Sequence, residues 1–126
     1  MKLLIVDDNP INQKFLYYSL RKSYDIETAN NGLDAVNILK EKEFDVVLMD
    51  LTMPVMDGAE ATYEIRRSDQ SINKDVPIIF VTTNDFEHER IRCMNSGGDD
   101  YIIKPVDTVI LRSRIEFHII RKQGRK

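Results

Sequence analysis

The chain has 126 residues, of which 42% are hydrophobic and 31% are charged, and its formal net charge is −3. These values are typical of one soluble globular domain, and they lack the basic excess of a nucleic-acid-binding protein. No apolar run reaches the ~20 residues of a membrane-spanning helix, and the apolar start at residues 3–6 is too short for a signal peptide. We therefore expect a cytoplasmic protein.

Five short runs rich in β-branched residues alternate with five amphipathic stretches of helical length. The predicted strands are residues 2–6, 24–29, 45–49, 76–82 and 100–103, and the predicted helices are residues 11–22, 32–42, 58–68, 86–96 and 108–122. Such strict alternation with short connections indicates an α/β fold, a doubly wound parallel sheet with helices on both faces. We predict one domain over residues 1–122, and a basic tail or linker remnant over residues 123–126.

Polar residues follow four of the five predicted strands. Asp7 and Asp8 follow the first strand and Asp50 the third, while Thr82 ends the fourth and Lys104 follows the fifth. In doubly wound sheets the ligand site lies beyond the carboxyl ends of the strands, where the strand order reverses. In the strand order 2-1-3-4-5, which is common in doubly wound sheets, the second strand lies at an edge of the sheet. The ends of the other four strands then bring these polar groups together.

Each of these residues has a simpler explanation when it is considered alone. An Asp after a strand commonly caps a helix or forms a turn, and Thr82 is a favourable strand residue. Three carboxylates held together, however, repel one another, and one of them would have to take up a proton. A hard divalent cation with oxygen ligands removes this cost, and Mg²⁺ suits the set best, with Mn²⁺ as the substitute.

Four sequence segments, in this order and at this spacing, resemble the receiver domain of two-component response regulators. They are residues 4–9 (LIVDDN), 47–58 (VLMDLTMPVMDG), 79–83 (IFVTT) and 99–105 (DDYIIKP). The resemblance extends over residues 2–122 and implies a flavodoxin-like (βα)5 fold. It also implies a phosphorylation-dependent signalling switch that catalyses only its own phosphoryl transfer and autodephosphorylation, and is not otherwise an enzyme.

The resemblance assigns a role to each acidic residue. Asp50 is expected to accept a phosphoryl group from the phosphohistidine of a partner. Asp8, Asp50 and the backbone carbonyl of Thr52 are expected to bind Mg²⁺ directly, and Asp7 to bind it through water.

The same resemblance assigns the remaining polar groups to the phosphoryl group and to switching. Lys104 is expected to pair with a phosphate oxygen, and Thr82 to donate a hydrogen bond to it. Movement of Thr82 is expected to make room for Tyr101 to turn inward. Thr52 and Asn84 border the path of the attacking water, and so are expected to tune the lifetime of the phosphorylated state.

The partners that the resemblance implies are a sensor histidine kinase or phosphotransfer protein as phosphoryl donor, and an output domain or protein partner. Contacts with a membrane or directly with nucleic acid are not expected. Switching should alter the face formed by the fourth helix, the fifth strand and the fifth helix, through which a homodimer can form. The charges on this face that resemble a dimer set are Arg90, Asp99, Asp100 and Arg114. Because Ile110 occupies a position where an acid is expected, an apolar docking patch of Val106, Ile110 and Phe117 is the alternative.

A haloacid-dehalogenase-like phosphatase with Asp50 as nucleophile is the main competing interpretation. Such enzymes carry a second Asp two residues after the nucleophile, where this chain has Thr52, and they need room for a cap that selects substrate. Asp57 is interpreted as the cap of the third helix, and the Lys104–Pro105 bond resembles a cis bond of the family. His88 and His118 are both expected at the surface of helices.

Overall fold

The computed structural model describes residues 1–69 and 71–124. The strands are β1 (Lys2–Val6), β2 (Asp25–Ala29), β3 (Val46–Met49), β4 (Ile78–Thr82) and β5 (Asp100–Ile103). The helices are α1 (Pro10–Leu20), α2 (Gly32–Glu41), α3 (Gly58–Arg66), α4 (Glu87–Asn95) and α5 (Thr108–Gln123). All neighbouring strands are parallel, in the order β2-β1-β3-β4-β5. The predicted fold class and strand order are confirmed.

Most element boundaries differ from the prediction by one or two residues, and some of these differences have a clear local cause. β4 begins at Ile78 and not at residue 76, because Pro77 has no N–H to donate to a ladder. α1 begins at Pro10, one residue early, because Asn9 caps it by accepting from the backbone N–H groups of Ile11 and Asn12. α5 extends to Gln123, and the last two residues of the predicted basic tail lie outside the described residues.

The two faces of the sheet bury two separate hydrophobic clusters. Alternate β1 residues contribute to them: Leu4 and Val6 pack toward α2, α3 and α4, while Leu3 and Ile5 pack toward α1 and α5. Burial on both faces accounts for the nearly continuous apolar sequence of the central strands. Cys93 of α4 is fully buried as a small apolar side chain, and burial raises the pKa of its thiol to about 12.

His118 does not lie at the surface, so this part of the sequence prediction is wrong. Its side chain is 6% exposed and its Nε2 atom lies 2.9 Å from Oδ2 of Asp100. The reason is helical spacing, because His118 shares the buried face of α5 with Leu111, Ile115 and Ile119. His88 is exposed, as predicted.

Over the described residues, no helix combines the length and the apolar character required to cross a membrane.

Candidate functional site

Three carboxylates meet at the carboxyl edge of the sheet. β1 and β3 are neighbours with Val6 opposite Met49, so Asp7 and Asp50 leave the sheet side by side. One carboxylate oxygen from each of Asp7, Asp8 and Asp50 lies within 4.8 Å of the other two. Asp7 and Asp50 are buried and Asp8 is exposed. The structure therefore brings the predicted acidic residues together.

Lys104 supplies a positive charge to this cluster from the end of β5. Its Nζ atom lies 2.8 Å from Oδ2 of Asp7 and 3.9 Å from Oδ2 of Asp50. The backbone N–H of Lys104 donates to the carbonyl of Thr82, which ties this segment to β4. The Lys104–Pro105 peptide bond is cis, as the sequence suggested. One ammonium thus offsets part of the repulsion among three carboxylates.

The ionisation of Asp50 is opposed by its surroundings. Burial, and then the charge of Asp7, raises the pKa of Asp50 from 3.8 to about 6. Lys104, the hydroxyl of Thr82 and the backbone N–H of Leu51 act in the opposite direction without cancelling the rise. A cation bound among the carboxylates would favour the ionised form, so the geometry suits a site that holds one.

The chemistry of the donor atoms fits a hard divalent cation, because every ligand that the three residues offer is an oxygen. The carboxylates are not equivalent, however. Asp7 accepts from the backbone N–H of Asn9 at 2.9 Å and from Lys104, so both of its oxygens have partners. The ion pairs of Lys104 go to Asp7 and Asp50 and leave Asp8 open to solvent. Asp8 is thus freer than Asp7 to bind a cation directly.

The predicted switch residues are joined by hydrogen bonds through Asn84. Thr82 is buried, and its Oγ1 atom accepts from the backbone N–H of Asn84 at 3.2 Å. The carbonyl of Asn84 accepts from the hydroxyl of Tyr101 at 2.6 Å. Burial raises the pKa of Tyr101 to about 12, so the phenol is a neutral donor. Thr52, the other position assigned to lifetime, is exposed in the loop that follows Asp50.

Asp57 caps α3, which confirms its predicted role. Its carboxylate accepts from the backbone N–H of Glu60, and the carboxylate of Glu60 accepts from the backbone N–H of Asp57. Gly58 follows at a point where any Cβ would collide with the backbone carbonyl of Asp50. Only glycine therefore lets the start of α3 lie against Asp50, a requirement that the sequence interpretation did not assign to it.

Two further residues near the site make contacts that were not predicted from the sequence. Gln13 of α1 donates to the backbone carbonyl of Asp7. Arg92 of α4 bonds Asp57 at 3.0 Å and Glu89 at 3.1 Å, and so links the cap of α3 to α4. Charged and amide residues on amphipathic helices usually lie in solvent, so neither contact has a signal in the sequence pattern.

The model of the response regulator receiver domain family matches residues 3–116. The sensor histidine kinase RcsC of Escherichia coli K12 is 38% identical over 122 residues, which is 96% of this chain. RcsC of Salmonella typhimurium has the same identity and coverage. The chain spans 12% of the length of each of these two relatives.

Solved structures give the same result. The receiver domain of sensor histidine kinase PA1611 from Pseudomonas aeruginosa PAO1, with a magnesium ion coordinated in its active-site cleft, is 34% identical. Its TM-score is 0.86, and the match covers 94% of this chain and 96% of that one. A two-component response regulator from Clostridium difficile is 27% identical with a TM-score of 0.87, over 98% of both chains.

A CheY-like receiver domain protein from Methanospirillum hungatei, 23% identical with a TM-score of 0.90 over 99% of this chain and 98% of that one, agrees in fold. The phosphatase alternative finds no support among these relatives. The resemblance read from the four sequence segments is confirmed: the chain belongs to the response regulator receiver domain family.

Proposed function

We propose that this domain is a phosphorylation-dependent signalling switch in which Asp50 accepts a phosphoryl group from a phosphohistidine in a Mg²⁺-dependent reaction. The observation that carries the proposal is the meeting of Asp7, Asp8 and Asp50, one oxygen of each lying within 4.8 Å of the others, with Lys104 paired to Asp7 and Asp50. Membership of the receiver family supports the same conclusion.

The reaction begins from ionised Asp50. One of its oxygens forms a bond to phosphorus while the bond from phosphorus to the imidazole nitrogen breaks, and that nitrogen keeps the electron pair. Because the pKa of Asp50 is about 6, the carboxylate is mostly ionised at neutral pH. The backbone N–H of Leu51 holds Oδ1 at 2.8 Å, and Lys104 is placed to pair with the incoming phosphoryl oxygens.

The proposed ligands of Mg²⁺ are the carboxylates of Asp8 and Asp50 and the backbone carbonyl of Thr52. Asp7 acts through water, which agrees with the occupation of its oxygens by Lys104 and the backbone of Asn9. The cation supplies positive charge that lessens the repulsion between a carboxylate and an anionic phosphoryl group. Mn²⁺, which also prefers oxygen ligands, would serve in its place.

The switch is proposed to run through Thr82, Asn84 and Tyr101. In the structure the hydroxyl of Thr82 accepts a hydrogen bond from the backbone N–H of Asn84. When Thr82 donates to the phosphoryl group, its hydroxyl moves away from that N–H. The backbone of Asn84 then shifts, and the hydrogen bond that the hydroxyl of Tyr101 donates to the carbonyl of Asn84 is weakened. This rearrangement would alter the face formed by α4, β5 and α5. Autodephosphorylation is proposed to be tuned at Thr52 and Asn84.

The proposed phosphoryl donor is a sensor histidine kinase or a phosphotransfer protein. The proposed target of the switch is an output domain or a protein partner. We place the domain, residues 1–122, in the cytoplasm. A homodimer through the α4-β5-α5 face stays a prediction. Asp100 pairs with Arg114 within the chain at 2.7 Å, so these charges are already engaged, whereas Ile110 and Phe117 are exposed on α5.

The test is phosphorylation by a small phosphodonor with Mg²⁺. Asp50→Asn should abolish hydroxylamine-sensitive labelling, because an amide does not form an acyl phosphate. Asp57→Asn is the matched control: it changes an Asp of the same loop, and Asn also caps helices, so labelling should persist. Undiminished labelling of Asp50→Asn would contradict the assignment, and repeated release of phosphate from small monoesters would favour a phosphatase.

A further inference from the structure

Asp8 is the least restrained of the three carboxylates. It is exposed on the loop between β1 and α1, whereas the side chain of Asp7 is fixed by Lys104 and by the backbone N–H of Asn9. Even so, a carboxylate oxygen of Asp8 lies within 4.8 Å of those of Asp7 and Asp50. The direction of the backbone as it enters Asp8 therefore decides whether its carboxylate can share a cation with Asp50.

Gln13 holds that backbone. Its Nε2 atom donates to the carbonyl of Asp7, to the carbonyl of Ala29 at 3.1 Å and to Oδ1 of Asn30 at 2.8 Å. Since the carbonyl of Asp7 and the backbone nitrogen of Asp8 belong to one planar peptide unit, a fixed carbonyl oxygen fixes the orientation of the whole unit. The two N–H groups of the Gln13 amide are shared among these three acceptors. Because the acceptors follow or end β1 and β2, the amide links the ends of the two strands.

The position of Gln13 is itself well determined. Its backbone N–H donates to the carbonyl of Asn9, the residue that caps α1, so the first turn of the helix sets its direction. The backbone N–H of Asp7 donates to the carbonyl of Ala29, which is also an acceptor of the Gln13 amide. Gln13 thus reinforces an existing link between β1 and β2, and its neutral side chain donates to two backbone carbonyls and to the amide of Asn30, and not to the carboxylates.

We propose that Gln13 is a positioning residue of the cation site: it orients the Asp7–Asp8 peptide so that Asp8 and Asp50 face one cation together. The proposal rests on the function proposed above, because it assumes that this cluster binds Mg²⁺. It places the effect of Gln13 on cation affinity and not on phosphoryl transfer once the cation is saturating.

Two variants separate positioning from charge. Gln13→Ala removes the donors, and Mg²⁺ affinity measured by NMR titration should fall roughly 10-fold, the usual effect of removing a group that orients a metal ligand. Gln13→Glu is similar in size but offers no N–H at neutral pH, and its added negative charge by itself favours cation binding. We expect it also to bind Mg²⁺ more weakly than the wild type. At saturating Mg²⁺, both variants should be labelled by a small phosphodonor within about twofold of the wild-type rate.

The references are Asp8→Ala, which should lose Mg²⁺ binding, and Lys14→Gln, which changes the exposed neighbour of Gln13 and should bind at least as tightly as the wild type. Wild-type affinity in Gln13→Ala, with or without a loss of thermal stability, would overturn the proposal, and so would tighter binding by Gln13→Glu. Failure of the wild-type protein itself to bind Mg²⁺ would instead overturn the proposed function.

Discussion

The two ends of the parallel strands, called here the carboxyl edge and the amino edge of the sheet, differ in how their charged and polar groups are arranged. At the carboxyl edge, Asp7, Asp8 and Asp50 lie close together, the ammonium of Lys104 pairs with Asp7 and Asp50, and the pKa of Asp50 is raised to about 6. At the amino edge, one arginine and one asparagine satisfy many backbone groups at once. The first edge keeps like charges together at a cost to stability, whereas the second uses polar groups to hold segments in place.

Arg66, the last residue of α3, is central to the amino edge. Its guanidinium donates to Asp99 at 2.9 Å and to three backbone carbonyls, those of Gly97 at 3.0 Å, Lys74 at 2.8 Å and Val76 at 2.7 Å. Asp99 in turn accepts from the backbone N–H of Ile78, the first residue of β4. The starts of β4 and β5 are therefore held by one side chain from α3.

Asn73 performs a similar task for the segment before β3. It is fully buried, and its carboxamide oxygen accepts from the backbone N–H of Phe44 at 3.0 Å. Its Nδ2 atom donates to the carbonyls of Leu39 and Lys42, both at 2.6 Å. Every polar atom of this side chain has a partner, which is the condition under which a buried amide stabilises a fold. The groups that hold the fold together and the groups that carry the proposed chemistry therefore lie at opposite ends of the strands.

The largest effect on stability should come from Arg66→Ala. The substitution removes one of the two arginines that pair with Asp99, the other being Arg121 at 3.0 Å, and it leaves three carbonyls without this donor. The free energy of unfolding should therefore fall by about 3 kcal/mol. Urea denaturation measures this. Labelling of Asp50 by a small phosphodonor, assayed where the variant is folded, should be unchanged because the site lies at the other edge.

Arg67→Ala is the matched control. The side chain of Arg67 is 60% exposed, and it contacts the neighbouring Glu64 at 3.8 Å and the ring of Tyr63 at 5.1 Å, so its loss should cost less than about 1 kcal/mol. Equal effects of the two substitutions would show that the amino edge is not the special contributor to stability that its hydrogen bonds indicate.

The same contrast explains what could be predicted from the sequence. Asp7, Asp50 and Lys104 each follow a strand directly, so the order of elements was enough to predict that they meet. The partners of Arg66 and Asn73 are backbone groups in distant loops, and no residue type marks a carbonyl that needs a donor. The contacts of Gln13 could not be predicted for the same reason, since two of its three acceptors are the backbone carbonyls of Asp7 and Ala29.

Helix faces were predicted less well than strand ends. His118 was expected at the surface of its helix, but its spacing from Leu111 and Ile115 places it on the buried face of α5. There Asp100 provides its partner. Periodicity was the better guide at this position than residue type, because packing against the sheet selects a face and not a kind of side chain.

The next largest effect concerns the carboxyl edge and pH. The pKa of Asp50 lies at about 6 in the folded protein against an ordinary value of 3.8. Folding is thus favoured while this carboxyl is protonated, and that stabilisation is fully present below pH 3.8 and lost as the pH rises through 6. In metal-free buffer at pH 8, Asp50→Asn should therefore be more stable than the wild type, by roughly 2 to 3 kcal/mol relative to any difference at pH 3.5.

Urea titrations of both proteins at several pH values measure this difference, and carboxyl groups distant from Asp50 cancel in the comparison. Mg²⁺ should then raise the stability of the wild-type protein more than that of Asp50→Asn, because the cation binds the ionised carboxylate. A difference in stability between the two proteins that does not change with pH would show that the acidic cluster carries no electrostatic cost.

The smallest effect should come from the loop between β3 and α3, where the backbone itself is strained. Val55 has a φ of 71°, and the backbone N–H of Met56 donates across it to the carbonyl of Pro54 at 2.8 Å, a tight turn that disfavours β-branched residues. Val55 is 76% exposed, so little packing is lost when its side chain is removed. Val55→Gly should raise the free energy of unfolding by roughly 1 kcal/mol, the relief of strain being partly offset by the greater freedom of glycine in the unfolded chain.

Val55→Ala removes most of the same side chain but keeps a Cβ, so its free energy of unfolding should rise by less than half as much. If urea denaturation instead shows equal gains, exposed apolar surface and not backbone strain is the cost at this position.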